Sequence, residues 1–148
     1  MIESELNNAV TDADIISDGS TINGQLSSRL DYDYYALAVS GAGTVTASLD
    51  SPKDTSFGTY FNLSILDSDE NILASQSSGS DINLSTGIDE PGTYYLRVAA
   101  GGFHSSDQYS ISADTNLGST ANIETEYNSS TTAADVVLSG STINGQLS

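Results

Sequence analysis

Apolar and polar side chains alternate with a period of two along most of the chain, and no stretch sustains a helical period. In Tyr34-Tyr35-Ala36-Leu37-Ala38-Val39, residues Tyr35, Leu37 and Val39 share one parity and therefore one face of an extended strand. The same rule predicts strands over residues 14–17, 20–27, 34–40, 44–50, 60–66, 72–77, 81–85, 93–99 and 108–113. Short strands separated by turn signals make an all-β sandwich or barrel. Inward parity assigns the core to Ile22, Tyr35, Leu37, Val39, Val45, Ala47, Leu49, Phe61, Leu63, Ile65, Ile72, Ala74, Ile82, Leu84, Tyr94, Leu96, Val98, Tyr109 and Ile111.

The turns carry their own signals. Gly41-Ala42-Gly43 links two alternating runs and reads as a short hairpin. Asp89-Glu90-Pro91-Gly92 reads as a type II turn, with Pro fixing φ and Gly supplying a positive φ. Asn23-Gly24 is a hairpin dipeptide, but arms of two residues are too short. One strand with a glycine bulge is predicted instead.

The chain also repeats itself. Ile2-Glu3-Ser4-Glu5-Leu6-Asn7 returns as Ile123-Glu124-Thr125-Glu126-Tyr127-Asn128, and the nine residues from Gly19 to Ser27 return unchanged from Gly140 to Ser148. Both pairs share an offset of 121 residues. This predicts one unit over residues 2–114, a polar linker over 115–122, and the opening of a second unit over 123–148. A period this long suits beads on a string rather than a solenoid. The second opening is expected to be mobile or to borrow the edge of a neighbouring molecule, a strand exchange through residues 123–148.

Composition narrows the function. Three Lys and Arg stand against twenty Asp and Glu, a net charge of −17, so phosphate backbones and anionic membrane surfaces are repelled. No nucleic-acid partner is expected, and no apolar run is long enough for membrane insertion. The absence of Cys removes disulfides and thiolate metal sites. The acidic opening is not a signal peptide, and the chain is expected to be an excised part of something longer. Asp31 and Asp33 share a parity at the head of the third run, where two like charges repel. With Lys and Arg nearly absent, a metal ion is the expected partner.

Taken in order, these motifs resemble the bacterial pre-peptidase C-terminal (PPC) domain. Its pattern is met by Glu3-Ser4-Glu5-Leu6-Asn7, by Asp31-Tyr32-Asp33-Tyr34-Tyr35, by the turn from Asp67 leading to Leu73-Ala74-Ser75, by Pro91-Gly92-Thr93-Tyr94-Tyr95-Leu96-Arg97-Val98, and by Tyr109-Ser110-Ile111. The resemblance implies a jelly-roll β-sandwich of about eight to nine antiparallel strands. It implies a domain of secreted peptidases or a repeat of large extracellular or cell-surface bacterial proteins. By likeness to collagen-binding relatives it implies calcium (Ca2+) held by Glu3, Glu5, Asn7, Asp31 and Asp33, with backbone oxygens near Gly24 and Gln25. The chain departs from that pattern at Leu6-Asn7-Asn8, where the family often has Pro-Asn-Asp. It departs again at Ala99 and Gly101, where collagen-binding relatives present aromatics.

Calcium takes six to eight hard oxygens in flexible geometry. Glu3, Glu5 and Asn7 alternate, so an extended segment points all three one way. The expected function is a non-catalytic, calcium-rigidified repeat of an adhesin-like protein whose partners are neighbouring repeats. The alternative is an accessory domain that holds an extracellular polymer for a secreted hydrolase, with Tyr34-Tyr35 and Tyr94-Tyr95 as stacking candidates. More often one of each such pair is core and the other covers the surface. No His, Cys and Lys set supports an enzyme, and His104 reads as a loop residue. Asp67-Ser68-Asp69-Glu70-Asn71 imitates an EF-hand opening but lacks its Gly, and reads as a hairpin turn.

Overall fold

The computed structural model describes residues 1–118, 131, 132, 134 and 136–143. Nine strands follow one short 3-10 turn: β1 (Asp14–Ile15), β2 (Ser20–Gly24), β3 (Tyr32–Val39), β4 (Gly43–Asp50), β5 (Phe61–Leu66), β6 (Ile72–Ser78), β7 (Ile82–Ile88), β8 (Gly92–Ala100) and β9 (Tyr109–Leu117). One sheet has the order β1-β3-β8-β5-β6 and the other β2-β9-β4-β7. Without β1, these are the two interleaved four-stranded sheets of a jelly roll. All nine predicted strands are present, and the predicted architecture stands.

The alternating faces meet in one core. Tyr35, Leu37, Phe61, Leu63, Ile65, Leu96, Val98 and Ile111 are fully buried, joined by Ile16, Leu26 and Ile88. Ile72 is a correction. It is 44 % exposed while Leu73 is buried. The pairing of β5 with β6 slips between Ile65 and Leu66, so that Ala74 faces Ile65 but Ile72 faces Leu66. The extra residue reverses the parity and turns Leu73 inward.

Four other expectations are corrected. Gly41-Ala42-Gly43 does not make a hairpin, because β3 and β4 lie in opposite sheets and the turn crosses between them. Gly92 is not among the residues with positive φ, so the type II turn is not formed. It opens β8 opposite Val39. Residues 20–24 pair with β9 in unbroken register, so β2 is one strand without a bulge. Finally, β1 runs parallel to β3, with Asp14 opposite Tyr35 and Ile15 opposite Ala36. The chain crosses to the other sheet and back between them, and two reversals restore the original direction.

The Asp67 segment is the turn of the β5–β6 hairpin, closed by Asp67 N donating to Asn71 O at 3.0 Å. Strand β9 runs into the stretch read as linker, placing Thr115, Asn116 and Leu117 opposite Val45, Thr44 and Gly43. The repeated acids Glu124 and Glu126, with Asn128, lie outside the described residues.

Candidate metal centre

Each sheet leaves one edge on the same side of the sandwich, β2 in one and β1 with β3 in the other. The N-terminal segment straps the two together. It begins on β2, where Glu3 N donates to Asn23 O at 3.0 Å and Asn23 N donates to Met1 O at 2.9 Å. Ser4 N then donates to Asp14 Oδ2 of β1 at 2.6 Å. It ends on β3, where Tyr34 N donates to Asn7 O at 3.0 Å. Asn7 is fully buried by this crossing.

The strap carries Glu3 over the end of the core. There the Tyr35 hydroxyl donates to Glu3 Oε2 and the Gln25 N–H donates to Glu3 Oε1. The Tyr35 and Tyr109 hydroxyls touch at 2.7 Å, and Tyr109 donates to Asp33 Oδ2 at 2.5 Å. A Cβ on Gly24 would stand 2.5 Å from both phenol oxygens. Only glycine therefore lets β2 pass over the pair. Glycine was legible at this position, but its meaning was close approach rather than a bulge.

Glu3 Oε2, Tyr35 Oη, Tyr109 Oη and Asp33 Oδ2 thus form a line of four oxygens with three close contacts. With both carboxylates ionised, the two phenols supply only two protons. A third proton or a cation completes the line. Burial pushes Asp33 up to about 8 against the opposing Tyr109 bond, and the charges of Glu3, Asp31 and Glu5 add to the rise. Burial raises Glu3 as well, although bonds from Tyr35, Gln25 and Asn7 oppose it. Burial also raises both phenols, so they remain protonated.

No basic side chain reaches this line. Lys53 pairs with Asp107, Arg29 Nη2 donates to Gly102 O at 2.9 Å, and Arg97 lies 5.8 Å over the Tyr32 ring. These are all the Lys and Arg of the chain. His104 Nε2 sits 3.1 Å from Leu26 O in a loop.

The five sequence-predicted ligands are only partly brought together. Glu3 and Asp33 converge through the phenols, and Asn7 Nδ2 lies 3.5 Å from Glu3 Oε2. Asp31 turns away and accepts from Ser27 N and Ser27 Oγ, both at 2.6 Å. Glu5 is exposed and acts on the pair through space. Among the described residues, no three His, Cys, Asp or Glu side chains gather as a ready metal cage. A hard divalent cation would therefore draw on Glu3, Asp33 and nearby backbone carbonyls, and on Asn7 once its amide, whose Nδ2 donates to Glu3 and Asp14, turns to present oxygen, which is the donor chemistry calcium accepts. Tyr35 and Tyr109 were legible as core residues, but not as the link between the acids. As stacking platforms the aromatic pairs fail in part, since Tyr34, Tyr35 and Tyr94 are all buried.

Two interleaved sheets joined by these crossings make the fold a jelly roll. The chain is similar in structure to the pre-peptidase C-terminal domain of a collagenase from Bacillus anthracis, with a TM-score of 0.55 and 24 % identity over 69 % of this chain and 94 % of that one. It is also similar to PliG of Aeromonas hydrophila, a periplasmic inhibitor of g-type lysozyme, with a TM-score of 0.48 and 13 % identity over 70 % of this chain and 99 % of that one. No family model and no curated protein matches the sequence. Among the described residues, no helix is long and apolar enough to cross a membrane.

Proposed function

We propose that the chain is a non-catalytic module, repeated within a larger extracellular or cell-surface bacterial protein, and that calcium locks its N-terminal strap onto the sandwich. Glu3 and Asp33 are the primary ligands. Asn7 and backbone carbonyls add neutral oxygens, and Asp31 and Glu5 contribute surrounding negative charge. The observation that carries this reading is the proton-short line of four oxygens from half-buried Glu3 to buried Asp33, with every Lys and Arg engaged elsewhere. The structural relative from a collagenase, the acidic cysteine-free composition and the internal repeat support the extracellular setting. Extracellular calcium modules bind with dissociation constants of about 10⁻⁴–10⁻³ M, which suits a site with few charged ligands.

The test is a thermal melt in excess EDTA, then with calcium or magnesium returned, for the native chain and for Asp33→Ala. Calcium at a hundred times its dissociation constant stabilises by about 2.7 kcal/mol, a rise of roughly 10 °C for a domain of this size. The expected result is a rise with calcium, little with magnesium, and none in Asp33→Ala. Identical melts in EDTA and calcium would refute the ion clip.

A further inference from the structure

The first 27 residues hold only edge positions in both sheets. Strand β1 is the outer strand beside β3, β2 is the outer strand beside β9, and the strap closes the gap between them. Every central strand comes later in the chain. The N-terminal edge can therefore leave without breaking a pairing among β3–β9.

Residues 123–148 repeat residues 2–27, and the differences follow burial. Of the buried edge residues Asn7, Ile16, Ile22, Gly24 and Leu26, all but Ile16 return unchanged, as Asn128, Ile143, Gly145 and Leu147. Ile16 returns as Val137, one methylene smaller. The other substitutions, such as Leu6 to Tyr127, Ile15 to Val136 and Asp18 to Ser139, fall where the first copy is exposed, save half-buried Val10, which returns as Thr131. The glycine that passes over the two phenols is kept, and so is the carboxylate that meets them, as Glu124. Meanwhile Val136, Val137 and Leu138 stand 81 %, 62 % and 70 % exposed.

We propose that residues 123–148 of one molecule occupy the seat of residues 2–27 in a second copy of this chain, adding strands beside β3 and β9. The seat and its occupant are the same element, so exchange swaps like contacts for like. A molecule cannot do this to itself. Asn23 lies opposite Ser110 and β9 ends at Leu117, about 23 Å further along the sheet, with the strap about 10 Å to the side. The six residues from Leu117 to Ile123 reach at most about 22 Å, short of the roughly 25 Å required. The contact is head-to-tail, the tail of each molecule seated on the next, so it links molecules in series. It needs no metal ion, and its failure would leave the calcium reading standing.

The chain has no Cys, which makes crosslinking a clean readout. Thr21 lies opposite Ser112 across β2 and β9, and Thr142 is its copy. The double variant Ser112→Cys/Thr142→Cys, concentrated, warmed to its melting midpoint and cooled under mild oxidation, is expected to give a ladder of disulfide-linked species on a non-reducing gel. Adding Ile143→Asp, which removes the copy of buried Ile22, should abolish the ladder while leaving the melting temperature of the sandwich unchanged. Monomer alone, a crosslink within one molecule, or a ladder that persists in Ile143→Asp or appears equally in Ser112→Cys/Ser139→Cys would overturn the proposal.

Discussion

Asp33 shows what a single residue can be asked to do. It is 1 % exposed, it shares a phenol line with Glu3, and burial lifts it from 3.8 to about 8. Between those values the folded chain holds a proton that the unfolded chain has released, so metal-free stability falls as pH rises through that window and is fully present below it. Glu3 shifts in the same direction and adds to the slope. The prediction is that the urea midpoint in EDTA is lower at pH 8 than at pH 5, and that Asp33→Asn flattens the difference. On the proposed calcium reading, saturating calcium takes the place of the proton, and the loss at pH 8 should be largely recovered. Asp33 was legible from its parity with Asp31 and the scarcity of Lys and Arg, but its pairing with Glu3 through two phenols was not, since the parity pointed to Asp31 as its neighbour. The divergence of Asp31 was not, because it depends on Ser27 N and Oγ coming within 2.6 Å across a loop that no periodicity describes.

At the scale of elements, alternation located every strand, because burial on one face imposes a period of two wherever the ladder is regular. It failed where the ladder slips. The bulge in β6 moves Ile72 out and Leu73 in, and nothing local distinguishes two adjacent aliphatic residues. Leu73→Ala is accordingly expected to cost about 2–5 kcal/mol, in the range of buried Leu truncations, and Ile72→Ala well under half as much. Equal losses in denaturant melts of the two variants would remove the bulge assignment. The turns were misread for a related reason. Gly41-Ala42-Gly43 and Asp89-Glu90-Pro91-Gly92 carry reversal signals, but a reversal between sheets and a reversal within one sheet use the same residues. Only the hairpin at Asp67 joins neighbours in one sheet, and there the sequence reading was sound.

For the whole molecule the controlling feature is β9, which lies between β2 and β4 and completes the four-stranded sheet. Its residues Tyr109, Ile111 and Ala113 enter the core, and Tyr109 links the two acids. A chain ending at Asp107 should therefore lose its cooperative thermal transition, not merely a few degrees, when followed by circular dichroism. Retention of a sharp transition would show that the other sheet stands without it. The internal repeat was plain in the sequence, whereas the sheet order was not, since no local pattern pairs Ser20 with Ala113.

That pairing fixes when β2 can join its sheet. Ser20 is made first and its partner Ala113 follows about ninety positions later, so at a synthesis rate of 5–20 residues per second β2 waits roughly 5–20 s for the strand it lies against. The other strands meet a first partner sooner, β1 at β3, β4 at β7 and β5 at β6, but their non-local pairings are still slow to form. The four-stranded sheet closes only when its last strand, β9, arrives. For a polypeptide threaded through a membrane in extended form, strand order alone would then supply the delay, and the module would mature only after its whole length had arrived on the far side.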